Sequence, residues 1–267
     1  MKKISKIIQA ILIIVSYLVI YSGIGKLFKH FSLVKSDQYI LQIIAYIIMT
    51  IFLLVILTLI KKKNILKFEK KSFFKTFLIG GFVSFLIIFA FISGVKTGID
   101  SGNKILPLYK IIPFCISIIV GTGFTEELLC RGIVQNLMFD AFGKKTKKGI
   151  CLSIIISSLL FGSAHFINYF TIKASFEGVL TQVIVATVIG LYFGAIYARC
   201  KNIWGVALIH GLFDFVQMMD EGIWGIGSAT ATISSYKLST VTFPIMLYTF
   251  LFIFLLRKEK IKECMEK

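Results

Sequence analysis

Six ionisable residues lie within stretches of the sequence that otherwise exclude charge: Glu126, Glu127, Arg131, His165, His210 and Asp214. Carboxylates and imidazoles are the side chains with which enzymes activate water and transfer protons, and hydrogen-bond donors stabilise the negative charge that develops during amide hydrolysis. Apolar surroundings strengthen these electrostatic effects. The set therefore predicts a site that is suited to hydrolysis.

The spacing of these residues indicates which of them share a helix face. Glu127 and Arg131 are four residues apart, as are His210 and Asp214, so each pair projects from one side of an α-helix. Neighbouring helical residues point about 100° apart. We therefore expect Glu127 and Arg131 to form an ion pair that braces the helix, while Glu126 points into the bundle.

The stretches that carry these residues have the composition of membrane spans. Of the 267 residues, 57% are hydrophobic and 16% are charged, whereas soluble domains carry about 25% charged residues. A charge at bilayer depth costs roughly 3 kcal/mol on insertion scales, so such charges are paired and functional. We predict an all-α polytopic membrane bundle of about eight spans, at residues 7–24, 39–60, 77–95, 111–139, 150–170, 179–199, 203–219 and 240–256.

Lysine and arginine set the predicted orientation. With the N-terminus in the cytoplasm, 21 of the 30 basic residues fall in cytoplasmic segments and 8 in outer ones, which predicts that both termini are cytoplasmic.

The net charge of +17 sits between apolar runs rather than on the face of a soluble domain, so it predicts contact with the lipid bilayer and not with nucleic acid. The abundance of lysine and isoleucine is typical of AT-rich bacterial genomes, so we expect a bacterial plasma membrane.

The chain divides into three regions of one membrane domain. We expect a three-span region at 1–110, a catalytic core at 111–219, and an outer loop, last span and basic tail at 220–267. Small residues precede His165, which allows the predicted fifth span to approach its neighbours closely. Counted from the cytoplasmic lysines at ~1.5 Å per residue, Glu126, His165, His210 and Asp214 could meet in one layer of the bundle.

Three motifs in this order resemble those of a known family. Glu126-Glu127-x-x-x-Arg131, Phe161-x-x-x-His165 and His210-x-x-x-Asp214 are similar to the motifs of the CPBP family, also called Abi. Its members include proteins similar to the CAAX prenyl endopeptidase of eukaryotes and bacterial proteins linked with bacteriocin processing and self-immunity. The resemblance covers residues 111–215 in detail.

The resemblance implies an intramembrane endopeptidase with assigned residue roles. Glu126 would activate water with assistance from His165, and His210 with Asp214 would stabilise the tetrahedral oxyanion. The expected substrate is a membrane-associated peptide or protein, such as a pheromone or bacteriocin precursor. Glu127 and Arg131 would support the site without touching the substrate.

Two other functions and one cofactor question remain open from the sequence. The same buried groups could relay protons or hold a cation in a transporter, and a break at Gly121-Thr122-Gly123 would favour that. The chain could also be a non-catalytic immunity or scaffold protein. A metal-free mechanism is preferred, but Glu126, His165, His210 and Asp214 could together bind Zn²⁺ or another divalent metal, although the H-E-x-x-H helix of zincins is absent.

Overall fold

The computed structural model describes residues 2–31 and 38–265, and within these ranges every regular element is helical. This confirms the all-α prediction. The helices are α1 (Lys2–His30), α2 (Gln38–Leu59), α3 (Lys70–Ile79), α4 (Gly81–Asp100), α5 (Leu108–Phe142), α6 (Lys147–Ala164), α7 (Ile167–Thr171), α8 (Phe176–Cys200), α9 (Ile203–Gln217), α10 (Met219–Gly222), α11 (Ala229–Ser235), α12 (Thr242–Leu255) and α13 (Lys258–Met265).

Seven helical segments in the described ranges are long and apolar enough to cross a membrane: Lys3–His30, Gln38–Leu59, Gly81–Asp100, Leu108–Phe142, Lys147–Thr171, Phe176–Cys200 and Leu238–Leu255. They match seven of the eight predicted spans. The prediction of a polytopic membrane bundle is therefore confirmed, and the chain is a multi-pass membrane protein.

The eighth predicted span, at 203–219, is shorter than expected. Helix α9 has 15 residues, which is about 22 Å at 1.5 Å per residue, whereas a bilayer core is about 30 Å thick. It ends because Met218 leaves the regular helix, with its N–H bonded to the carbonyl oxygens of Asp214 and Phe215 at 3.0 and 3.2 Å. Helix α10 follows at once, and the two helices together reach the length of a span. The sidedness of the termini stays a prediction.

The chain forms two compact units, each built from separated stretches. The first unit comprises Met1–Leu18, Leu129–Asn202 and Thr230–Lys267, and the second comprises Val19–Leu128 and Ile203–Ala229. In the first unit, α6 and α12 pack against α8. Arg131 Nη2 and Gln135 Nε2 donate to the carbonyl oxygens of Gly190 and Gly194 at 3.2 and 2.9 Å. A Cβ at Gly194 would lie 3.1 Å from Gln135 Oε1, so this glycine lets Gln135 reach the helix backbone, where lipid would offer no partner.

In the second unit, α9 packs against the first half of α5, and against α3 and α4. Two glycines bring α5 and α9 close together. A Cβ at Gly123 would lie 2.6 Å from the Ala207 carbonyl oxygen, and a Cβ at Gly211 would meet the Ile119 backbone. Since backbone atoms cannot turn aside as a flexible side chain can, these two positions fix the approach of the helices.

We predict that Gly211→Ala destabilises the protein by about 1–3 kcal/mol, because the added methyl group must push α9 away from α5. Gly25→Ala is the matched control, since a Cβ there meets no described atom within 4 Å. Thermal unfolding in detergent micelles measures both variants. Equal melting temperatures for the two would show that this contact does not set the helix spacing.

Candidate active site

Helix α5, which carries Glu126 and Glu127, is not a uniform α-helix. The α-helical turn Gly123–Glu127 lies between two π-helical segments, Ile116–Thr122 and Leu128–Gln135. A π-turn closes hydrogen bonds from residue i to i+5, which adds a residue to the turn, and such turns are frequent at functional sites. The i, i+4 rule applied above to Glu127 and Arg131 assumes α-helical geometry, but Arg131 lies in a π-helical segment.

Helix α9 places His210 beside both glutamates of α5. The His210 Nδ1 atom lies 2.8 Å from Glu127 Oε1, and this pair is buried, with Glu127 fully excluded from solvent. On the other side of the ring, His210 Nε2 lies 3.4 Å from Asp214 Oδ2 and 4.0 Å from Glu126 Oε2. The structure thus brings together four of the six predicted residues, with three carboxylates around the imidazole of His210.

The two ring nitrogens of His210 have different surroundings, and this matters for its chemistry. A carboxylate accepts hydrogen bonds and, when ionised, cannot donate them. An ionised Glu127 therefore holds a proton on Nδ1, and it fixes the orientation of the ring, as a carboxylate does for histidine in many catalytic sites. Nε2 is then the nitrogen that faces Asp214 and Glu126. Nε2 can therefore form a hydrogen bond with a bound substrate group.

The two remaining predicted residues, His165 and Arg131, belong to the first unit. His165 follows α6 directly, with Nδ1 3.2 Å from the Phe161 carbonyl oxygen and its ring edge-on to the Phe161 ring at 5.0 Å. The Arg131 guanidinium lies 5.0 Å from the centre of the same Phe161 ring, at a distance typical of a cation–π contact. The Glu127–Arg131 ion pair and the assistance of His165 to Glu126 stay predictions.

The arrangement of the donor side chains bears on the predicted metal site. Within residues 2–31 and 38–265, no group of three or more histidine, cysteine, aspartate or glutamate side chains is arranged to hold a metal ion. The four residues predicted as possible Zn²⁺ ligands do not form such a group. The metal dependence of the activity stays a prediction.

Sequence reasoning missed the contribution of α2 to this site. The Thr50 hydroxyl of α2 lies 3.3 Å from the Thr125 hydroxyl, next to Glu126 in the sequence. The hydropathy of residues 39–60 predicts only an apolar span. Its polar residues recur at intervals of four, at 38, 42, 46 and 50, and this period was the signal that could have identified a polar helix face.

The comparisons with known proteins agree with the family resemblance that the three motifs predict. Residues 108–216 match the family model described as type II CAAX prenyl endopeptidase Rce1-like. No curated protein and no solved structure matches the chain. The matched segment contains all three motifs, which confirms the resemblance to CAAX proteases, and the family supports intramembrane endopeptidase activity in general.

We predict that Glu127→Ala destabilises the protein by about 1–3 kcal/mol, because the buried His210 Nδ1–H loses its acceptor. Glu127→Gln should cost less, since its amide oxygen can still accept. The matched control is Glu177→Ala, which removes a half-exposed carboxylate paired with Lys237 and should cost less than about 1 kcal/mol. If chemical unfolding in micelles shows equal losses for the two alanine variants, the orienting role of Glu127 is wrong.

Proposed function

We propose, from the membership of residues 108–216 in the Rce1-like family of type II CAAX prenyl endopeptidases, that this chain hydrolyses a peptide bond in a membrane-associated peptide or protein. Glu126 is the general base that activates water. His210 and Asp214 stabilise the oxyanion, and Glu127 orients His210. His165 keeps the assisting role that the motif resemblance implies.

The observation that carries the proposal is the difference in exposure among the three carboxylates around His210. The Glu126 and Asp214 side chains are 26% and 25% exposed, whereas Glu127 is 0% exposed. A general base must reach a water molecule, and a residue that only orients an imidazole need not. This supports Glu126 as the base and Glu127 as the orienting residue.

The proposed reaction uses these groups in sequence. Glu126 takes a proton from water as the water oxygen attacks the carbonyl carbon of the peptide bond, which places negative charge on the carbonyl oxygen. With Nδ1–H held by Glu127, His210 acts in its doubly protonated form, and its second proton, on Nε2, donates a hydrogen bond that stabilises this charge in a site where little water competes. The protonated Glu126 then gives its proton to the leaving amine, and the carbon–nitrogen bond breaks.

The membrane limits the class of substrate. A chain with seven helices able to cross a membrane encounters its substrates in or at the lipid bilayer. We therefore propose a membrane-anchored peptide or protein, with bacteriocin or pheromone processing or self-immunity as the physiological setting, in a bacterial plasma membrane. The transport alternative relied on a helix break at residues 121–123, whereas α5 stays helical from Leu108 to Phe142, so no specific observation favours it.

We expect Glu126→Gln to lower proteolysis by at least about 100-fold, since a general base contributes 10²–10⁴-fold, and to leave the protein folded. Asp140→Asn is the control, because it removes an exposed carboxylate of the same helix α5. Mass spectrometry of peptides incubated with the purified variants measures cleavage. Undiminished cleavage by Glu126→Gln would refute the assignment of Glu126 as the base, whereas a wild-type protein without any proteolysis would favour the non-catalytic alternative.

Asp214→Asn separates the metal-free mechanism from a metal-dependent one. An asparagine amide donates a hydrogen bond at every pH, whereas a carboxyl group donates only when protonated. In the metal-free mechanism Asp214 donates to the oxyanion only while it is protonated. The Asp214→Asn variant therefore keeps its activity near neutral pH and also at alkaline pH, where the activity of the wild type declines. A chelator does not inhibit it. Asparagine is a poorer metal ligand than carboxylate. Loss of activity in the variant with recovery on added Zn²⁺ would therefore refute the metal-free mechanism.

A further inference from the structure

Helix α2 carries a polar stripe along one side of an otherwise apolar span. The stripe consists of Gln38, Gln42, Tyr46 and Thr50, each four residues after the last. Residues at this spacing lie above one another on one helix face. The stripe runs from the first residue of the helix to a depth of about 18 Å, at ~1.5 Å per residue.

Every member of the stripe has a polar partner within the second unit. Gln38 Nε2 donates to Glu221 Oε1 at 2.7 Å, and the Ser117 hydroxyl donates to Gln42 Oε1 at 2.8 Å. The remaining two contacts lie deeper. The Thr122 hydroxyl donates to the Tyr46 hydroxyl at 2.9 Å, and the Thr50 and Thr125 hydroxyls are 3.3 Å apart.

The stripe ends at the proposed base. Thr125, the deepest partner, immediately precedes Glu126 in the α-helical turn of α5. The Tyr21 ring stacks on the Tyr46 ring with centroids 5.8 Å apart. The Tyr21 hydroxyl hydrogen-bonds the Tyr46 side chain and lies within electrostatic range of Glu126. The polar stripe thus leads from the start of α2 to the turn of α5 that carries Glu126.

The backbone of α5 is shaped to accept this stripe. A Cβ at Gly121 would collide with the Tyr46 ring, so the glycine lets the ring lie against the helix backbone. Ser117 and Thr122 both belong to the π-helical segment Ile116–Thr122, and the Thr122 hydroxyl also lies 3.4 Å from the Ser117 carbonyl oxygen. The wide turn therefore presents its polar groups towards α2.

We propose that this stripe is the route by which water reaches Glu126 from the membrane face at which α2 begins, the outer face in the predicted topology. The proposal rests on the proposed function, because hydrolysis consumes one water for each peptide bond. A water molecule in a protein needs two to four polar partners, and hydroxyl and amide groups at every helical turn supply them through lipid depth. Helix association alone does not require such a stripe to end beside the base.

Accessibility to a water-soluble reagent tests the route without any assay of proteolysis. Cys115, Cys130, Cys151, Cys200 and Cys264 are first replaced, and single cysteines are introduced at Gln42 and Tyr46. Matched single cysteines are introduced at Ile44 and Ile48, which lie on the same helix and are exposed at the surface of the protein. A membrane-impermeant cationic methanethiosulfonate is then applied to each face of sealed vesicles.

We expect Gln42→Cys and Tyr46→Cys to react at least ~10-fold faster than Ile44→Cys and Ile48→Cys, because only a cysteine in contact with water forms the reactive thiolate readily. The faster reaction should occur from the face at which α2 begins. Equally slow reaction at all four positions would overturn the proposal and leave the stripe as polar contacts between helices. Fast reaction only from the opposite face would also overturn it.

Kinetics give a second test on the unmodified cysteine background. Tyr46→Phe and Thr50→Val should each lower kcat about 10-fold with little change in KM, since water supply and proton transfer limit the chemical step. Thr58→Val is the control, because its hydroxyl bonds the Leu54 carbonyl of its own helix. If both variants only lower stability and keep the wild-type kcat, the stripe is structural. If the wild type shows no proteolysis, the proposed function fails while the labelling still decides the route.

Discussion

The buried hydrogen bond between His210 and Glu127 depends on a close approach of two helices in a medium that offers no substitute partner. Its 2.8 Å distance requires α9 to lie directly against α5, and Gly123 and Gly211 permit that approach. Because a polar group that loses its partner at this depth would cost about 1–3 kcal/mol and lipid offers no substitute, the pair favours one register of α9 on α5. Asp214, one turn further along α9, is placed by the same register.

The same constraint explains polar contacts elsewhere in the molecule. In the first unit, Arg131 and Gln135 donate to backbone carbonyl oxygens of α8 that lack a Cβ in front of them. In the second unit, the hydroxyl and amide groups of α2 pair with those of α5. In lipid these contacts replace the hydration that a soluble protein would use. Within each unit, helix packing is thus decided as much by polar pairing as by apolar shape.

The proposed chemistry follows from the different surroundings of two neighbouring residues. Glu126 and Glu127 are adjacent in sequence, but one is partly exposed and the other is sealed against His210. Carboxylates with different access to water can take different roles at one pH, one as a base and one as an orienting group. The π-helical segment Ile116–Thr122, which precedes this turn, carries Ser117 and Thr122, and their hydroxyl groups contact the polar side chains of α2.

The sequence alone determined that the chain lies in lipid and that it is helical, and it singled out the candidate reactive residues, because lipid excludes charge and so makes each buried Glu, His and Asp visible against an apolar background. It also predicted the face shared by His210 and Asp214, since that spacing lies in a regular α-helix. Only the tertiary structure decided that Glu127 bonds His210, that α9 ends at Gln217, and that the polar stripe of α2 pairs with α5. Those features depend on π-turns, on glycine-mediated helix approach and on partners distant in sequence, and ideal helix geometry contains none of this information.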